Sequence, residues 1–321
     1  MIIQWIIAAI ATTVLLGVWK MVGIKDVPNY RSAHASATPT AAGICLSCVF
    51  ICFYICSSNL ATVPLNFVIG LGLLTVIGFA DDWRELSYKI RLVSHALVVG
   101  LVLLSQNLSP VEYIVWFFVG VGLINVCNFL DGLNGLLASQ WLLTTGFLLA
   151  GFAGDNSVFW ILWISVLIYL LFNFPKSHLF MGDTGSTILG FSYFAIIFYL
   201  APLQNEFPST LLNKDSFILF ALFPLAFAWG DVTFTLIRRF LEKRSVVSSF
   251  GDYGFHHQAR FFKSHSLVTL VYLGLNCLLA LGAQSLFLDR KLIPVVCGIY
   301  VLLQLLHFWF IYKISKIQSV V

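Results

Sequence analysis

Apolar residues fall along this chain in long unbroken runs separated by short polar stretches. Eleven such runs stand out, at 2–22, 41–58, 65–80, 92–106, 112–130, 135–152, 157–174, 186–202, 216–237, 266–287 and 292–312. Roughly 20 apolar residues in a helix cross the hydrocarbon of a bilayer. Transmembrane β-strands would show alternation of polar and apolar positions instead. The expected fold is therefore an all-α integral membrane protein of about eleven transmembrane helices, forming one domain over residues 1–321. Polar connections at 23–40, 81–91, 130–135, 175–186 and 238–265 are where chemistry is expected. The first run is too long for a signal-peptide core and has neither a basic leader nor a small-residue cleavage site, so it reads as a retained helix. No internal repeat or low-complexity tract interrupts the pattern.

Composition agrees with this reading. Hydrophobic residues make up 60% of the chain and charged residues 10%, against about 25% charged in a soluble domain. A net charge of +4 gives no reason to invoke nucleic acid; what matters is where the basic residues lie. With the spans as drawn, Lys20, Lys25, Arg31, Arg84, Lys89, Arg91, Lys176, Arg238, Arg239, Lys243, Arg244, Arg260, Lys263, Lys313 and Lys316 share one side, and only Lys214, Arg290 and Lys291 the other. Basic loops stay cytoplasmic, which places the N-terminus outside and the C-terminus inside. Cys45, Cys48, Cys52 and Cys56 recur at helical spacing along one run and read as small apolar packing residues rather than a redox or metal site.

The ten Asp and four Glu are few enough to be informative. Asp81 and Asp82 follow GLLTVIGFA at the inner end of the third run. A helix C-terminus disfavours anions, so the pair is either a solvated loop start or a paired-carboxylate site that shares a cation, with Lys89 placed to face a phosphate. In NVCNFLDGLNGL (125–136), Asp131-Gly132 and Asn134-Gly135 are turn dipeptides. Asn125, Asn128 and Asp131 also recur every three residues, setting three oxygen-bearing side chains along one helix edge. FMGDTGS (180–186) precedes the eighth run; it suits either helix capping or an anion site, with Asp183 able to hold Mg²⁺ between phosphates. Asp231 lies inside the ninth run, a costly place for a carboxylate and so a functional candidate, unless it is a structural partner of another helix. His256 and His257 sit in the most basic loop, which suits phosphate neutralisation.

In order, GFADDW, NFLDGLNGL, LFMGDTGSTILG, FPLAFAWGD followed by RR, and a late HH resemble the polyprenyl-phosphate N-acetylhexosamine-1-phosphate transferases of glycosyltransferase family 4, the MraY/WecA-like membrane enzymes. VPNYRSAHASATPTAAG is similar to their first cytoplasmic loop. The compact loops stand nearer the bacterial O-antigen-initiating transferases than the eukaryotic ones. The resemblance implies transfer of a sugar 1-phosphate from a UDP-sugar to a polyprenyl (undecaprenyl) phosphate at the cytoplasmic face of the bacterial plasma membrane, with release of UMP. It implies Mg²⁺, with Mn²⁺ as a substitute, held by Asp183 and Asn128. Asp81 and Asp82 would form the acidic pair at the lipid phosphate, one of them the proposed base, and Asp131 would be a catalytic acid on the nucleotide-sugar side. Phe180 would stack on uracil, Lys89 contact phosphate, and His256 and His257 bind pyrophosphate. Asn125 and Asn134 are further expected substrate contacts. The resemblance is compatible with a homodimer.

Three departures stand out. Asn134 replaces the second Asp of a DGxDG pattern, TPTAAG is poorer in glycine than TPxGG, and GFHHQ shortens the multi-histidine pattern. A transporter or flippase working through membrane carboxylates is the alternative class. It sits poorly with the absence of repeat halves and of mid-span charges other than Asp231.

Overall fold

A computed structural model describes residues 2–27, 36–56, 63–151, 157–200, 221, 225–244, 252–288 and 293–318. The described residues form twelve helices. They are α1 (Ile2–Val22), α2 (Gly43–Cys56), α3 (Leu65–Arg84), α4 (Tyr88–Leu103), α5 (Pro110–Leu130), α6 (Leu136–Gly151), α7 (Ser157–Asn173), α8 (Gly182–Leu200), α9 (Ala226–Leu241), α10 (Gly254–Phe262), α11 (His265–Leu288) and α12 (Ile293–Gln318). Two short strands, β1 (Lys25–Asp26) and β2 (Thr38–Pro39), pair antiparallel, Lys25 opposite Pro39 and Asp26 opposite Thr38. Arg31, Lys214, Arg290, Lys291 and the first part of the ninth run lie outside the described residues.

The chain is an all-α membrane protein. Five helices are long and apolar enough to cross a bilayer: Ile2–Val22, Leu65–Arg84, Pro110–Leu130, His265–Gly282 and Cys297–Ile314. Gly43–Cys56, Leu136–Ala150 and Val158–Asn173 are apolar but shorter. Its outside is as apolar as its inside: Ile3, Ile6, Ile10 and Val14 of α1, Leu97 of α4 and Leu305 of α12 are all exposed, as hydrocarbon rather than water requires. The cysteine stripe follows the same logic, with Cys45 turned into the core and Cys48, Cys52 and Cys56 exposed.

α8 is the central helix, with α3, α5, α2, α4 and α6 packed around it. Its apolar residues are buried on every side, from Ile188 and Leu189 through Phe191 and Phe194 to Phe198, the mark of an enclosed helix. Small residues let its neighbours close in. A Cβ on Gly78 of α3 would stand 2.6 Å from the Thr184 Cα, and one on Gly190 of α8 2.8 Å from the Ile124 Cα of α5. α5 opens with a capping box, in which the Ser109 side chain accepts from the Glu112 N–H and the Glu112 carboxylate accepts from the Ser109 N–H, with Pro110 in the first turn.

Three differences from the sequence expectation bear on the site. α3 does not end at residue 80 but runs to Arg84, so Asp81 and Asp82 are helical. The unfavourable C-terminal charge is met by partners outside the helix, described below. α8 begins at Gly182, which places Asp183 in its first turn rather than in a preceding loop. Within the expected loop 238–265 lies α10, a nine-residue helix, with Phe255, His256 and Ala259 buried and Arg260 exposed. Nine amphipathic residues escape a search for bilayer-length apolar runs.

Candidate active site

The C-terminal ends of α3 and α5 and the N-terminal end of α8 meet at one end of the bundle, and the polar motifs meet with them. Gly182 makes the junction: its φ is 73°, and a Cβ there would collide with the Asp82 carboxylate. Through that gap Asp82 caps α8. Its Oδ1 accepts the Asp183 N–H at 2.8 Å, and its Oδ2 accepts the Thr184 N–H at 3.0 Å and the Thr184 hydroxyl at 2.5 Å. The charge that is unwelcome at the end of α3 lies on the positive end of α8.

Asp81, one residue earlier and about 100° around the helix, faces elsewhere. Its Oδ1 accepts the Leu86 N–H at 2.5 Å and its Oδ2 accepts Arg91 Nη1 at 3.2 Å. The same Arg91 Nη1 lies 3.1 Å from Asp183 Oδ2. From the other side, Asn128 Nδ2 donates to Asp183 Oδ1 at 2.6 Å and to Ser186 Oγ at 3.0 Å. Asp183 is thus clamped between α4 and α5 at the start of α8, with Asp81 beside it. The expected convergence of Asp81, Asp82, Asn128 and Asp183 is present, and the two neighbouring acids have different work: Asp81 faces the cluster, while Asp82 holds the helix that carries Asp183.

Asp131 caps α5 and stands next in line. Burial, reinforced by the charges of Asp183 and Asp82, holds its carboxyl well above the usual carboxylate range, favouring the neutral form that donates a hydrogen bond. Asn125 does not reach the acids; its Nδ2 donates to Val121 O of its own helix at 2.7 Å. Lys89 is exposed at the start of α4, and the cation that meets the acids is Arg91. Two residues apart on a helix, the two side chains cannot share a face. Arg91 is the residue that sequence reasoning missed. The available signal was Arg91 and His95 at i, i+4 on one face, and His95 is indeed buried one turn below.

Phe180 is half-buried and held by its backbone, its N–H donating to Pro39 O at 2.8 Å and its carbonyl accepting from Ala42 at 3.1 Å. This ties FMGD to the segment leading from β2 into α2. Ala41, in the glycine-poor TPTAAG, adopts a left-handed φ of 61°, the conformation in which glycine is preferred. Asn134 does not point at the acids. Its Nδ2 donates to Pro175 O at 3.3 Å, and its backbone carbonyl accepts the Thr269 hydroxyl at 2.8 Å. Restoring the acid with Asn134→Asp sets a carboxylate against the Pro175 carbonyl, so a loss of about 1 kcal/mol in stability and no gain in activity are expected. A thermal-unfolding scan together with an activity assay checks this; higher activity at unchanged Tm would make Asn134 a lost site acid instead.

His256 and His257 lie on α10. The His256 ring packs on Phe255 at 4.4 Å between centroids, and its Nε2 stands 2.6 Å from where a Cβ on Gly132 would be, so it sits directly beyond Asp131. Phe129 stacks on Tyr253 at 5.5 Å, docking this segment on the end of α5. Burial first, then Arg260 and the neighbouring His265 and His257, push His256 down to about 3, so the ring is neutral. Its Nδ1 is buried and has no hydrogen-bond partner among the described residues. His257 is half-buried, its Nδ1 3.3 Å from Arg260 Nη2. Behind them Asp252 gathers Arg239, Arg238 at 3.6 Å and Arg244 at 3.5 Å. Burial alone would raise its carboxyl, but Arg239 above all, then Arg238 and Arg244, outweigh that and hold it below the ordinary range. Asp231, the membrane carboxylate behind the transporter alternative, is fully engaged as a structural acceptor: Gly254 N–H at 2.9 Å, Phe255 N–H at 2.9 Å and the Tyr272 hydroxyl at 2.8 Å.

Residues 64–201 match the family described as Glycosyl transferase family 4. The matched stretch holds Asp81, Asp82, Asn128, Asp131 and Asp183 and stops short of α9 and α10. Among curated proteins, the chain is 27% identical to the undecaprenyl-phosphate alpha-N-acetylglucosaminyl 1-phosphate transferase of Thermotoga maritima, over 76% of this chain and 75% of that protein. It is 25% identical to a probable undecaprenyl-phosphate N-acetylglucosaminyl 1-phosphate transferase of Bacillus subtilis, over 84% and 80%. It is 30% identical to the transferase of Yersinia pestis, over 53% and 54%. The resemblance drawn from the motifs holds.

Proposed function

We propose that this chain, a relative of the Glycosyl transferase family 4 enzymes, transfers a sugar 1-phosphate from a UDP-sugar to undecaprenyl phosphate on the cytoplasmic face of the bacterial plasma membrane, the first step of a cell-envelope glycan. The observation that carries the reading is Asp183 clamped by Asn128 and Arg91 beside Asp81. Two anionic substrates must be brought together, and this cluster combines oxygen ligands for a cation with a fixed guanidinium. The name shared by the Thermotoga, Bacillus and Yersinia relatives makes N-acetylglucosamine the first sugar to test.

The residues fit a Mg²⁺ ion. One guanidinium already bridges the Oδ2 atoms of Asp81 and Asp183, so a cation between these acids is compatible with the packing. Among the described residues no three Asp, Glu, His or Cys side chains form a closed metal cage. Mg²⁺ needs no such group, since it takes one or two carboxylates and completes its shell with waters and substrate phosphates. Asp183 and Asp81 would hold it, with Asn128 once its amide is turned. When bound, the ion neutralises charge shared between the two phosphate groups.

The remaining steps belong to the chain. An oxygen of the lipid phosphate attacks the phosphorus that bears the sugar, forming one P–O bond as the bond to UMP breaks. UMP leaves as an anion and no proton need move, because the attacking phosphate is already ionised. Arg91 offsets the charge at the attacking group, neutral Asp131 offers a hydrogen bond, and the N–H of the neutral His256 ring donates to a pyrophosphate oxygen of the donor. Positioning and neutralisation of this kind account for most catalysis of phosphoryl transfer.

A screen of UDP-sugars with purified protein and undecaprenyl phosphate tests the reaction and the donor together. UMP release and a lipid-linked pyrophosphoryl sugar are expected with UDP-N-acetylglucosamine. Chelation should stop the reaction, and Mg²⁺, or less effectively Mn²⁺, should restore it. No UMP from any donor, with counterflow of a labelled solute instead, would replace this reading with a transporter.

A further inference from the structure

Asp231 lies outside the acidic cluster, is fully buried, and accepts two of its three hydrogen bonds from the start of α10, with His307 Nε2 4.0 Å away. It receives the first two N–H groups of α10, from Gly254 and Phe255, both at 2.9 Å. The Tyr272 hydroxyl of α11 binds the same carboxylate at 2.8 Å and stands 3.1 Å from His307 Nε2 of α12. His307 Nδ1 in turn lies 3.4 Å from Gln258 Nε2, back on α10. One carboxylate thus ties four helices and fixes the start of α10 at both its first and its second residue. Gly254 is matched to this, since a Cβ there would collide with Asp231 Oδ1 and Ile311. One residue past the capped pair comes His256, whose ring fills the space left by the absent side chain of Gly132, adjoining Asp131.

We propose that Asp231 is a positioning residue: by capping α10 it sets His256 against the Asp131–Gly132 turn, and so governs how the donor's pyrophosphate is held. The assignment of pyrophosphate to His256 rests on the proposed function; the effect of Asp231 on the place of α10 does not. Acids at the N-terminus of a helix normally come from the helix's own first residues. Here the cap is delivered from another helix, so the two N–H groups follow α9 rather than their own loop.

Asp231→Asn puts an amide N–H against one of two backbone donors and removes the charge. In the full-length protein in membranes, it should raise KM for the UDP-sugar about tenfold and change kcat and the Mg²⁺ requirement less than threefold. In a His256→Ala background the same substitution should add less than a twofold effect, because a residue that acts through His256 has nothing left to position. Multiplying effects in the double variant, or loss confined to kcat, would overturn the proposal. Diethyl pyrocarbonate labelling followed by mass spectrometry reads α10 without any substrate. His256 should label slowly in the parent protein and as fast as exposed His178 in Asp231→Asn; equal protection of His256 in both would also overturn the proposal. Were no UDP-sugar turned over, the function would fall while the labelling still decided the role of Asp231. If Asp231→Asn does not accumulate, Tyr272→Phe, which removes one of the three bonds, should show the same two changes at smaller amplitude, and its failure to do so would count equally against the proposal.

Discussion

Asp183→Asn should lower UMP release by about 10³-fold while leaving the protein inserted and its thermal transition unmoved. The side chain keeps its shape and loses its charge. Asn128 and Arg91, which now meet its two oxygens at 2.6 and 3.1 Å, would face an amide, one half of which repels a donor. A preorganised charged group at the reacting centre contributes about 10²–10³ in rate by itself. Asp183 would in addition anchor the cation, which places the loss at the upper end. Stability should hold to within about 1 kcal/mol, because the amide keeps the shape of the side chain and Arg91 keeps its pairing with Asp81. Initial rates over a range of Mg²⁺ concentrations, with a melting curve on the same preparation, make the check. Activity within tenfold of the parent protein would remove Asp183 from the proposed metal site.

Much of this site was legible in the sequence because acids are costly near a membrane and so stand out. Asp81, Asp82, Asn128 and Asp183 do converge, and their motifs were sufficient to say so. The division of labour was not legible. Neighbouring residues on a helix point about 100° apart, and which of the pair faces α8 depends on how α3 and α8 are rotated against each other, a property of packing that the DD dipeptide does not encode. For the same reason the sequence pointed to Lys89 and gave Arg91 no role at the site. Asp231 was ambiguous in principle: a buried carboxylate marks either a functional group or a structural acceptor, and only the backbone N–H groups of Gly254 and Phe255 identify it as an acceptor. The same partners fix the start of α10 at Gly254, in a segment too short for hydropathy to reveal.

Asp82→Ala should do what Asp183→Asn does not, costing stability and activity together. Three donors lose their acceptor at once, the N–H groups of Asp183 and Thr184 and the Thr184 hydroxyl. They lie in a part-buried junction beside Gly182, where the carboxylate is the acceptor shared by all three. Breaking a part-buried, charge-assisted network of this kind costs about 2–3 kcal/mol, enough to lower Tm by roughly 5 °C in a chain of this size. The freed first turn of α8 then carries Asp183 out of register with Asn128, and misplacement of about 1 Å at a reacting centre is worth about 10² in rate. Asp82→Asn should fall between the parent protein and Asp82→Ala, since its one oxygen still accepts while its amide faces a donor. Thr184→Val, which removes only the hydroxyl leg, should cost about 1 kcal/mol. A series graded in this order by Tm, with kcat falling in step, is the signature of a cap acting at a distance from the chemistry. Loss of activity in Asp82→Ala at an unchanged Tm would instead return Asp82 to the reacting atoms, as half of the acidic pair expected from the sequence.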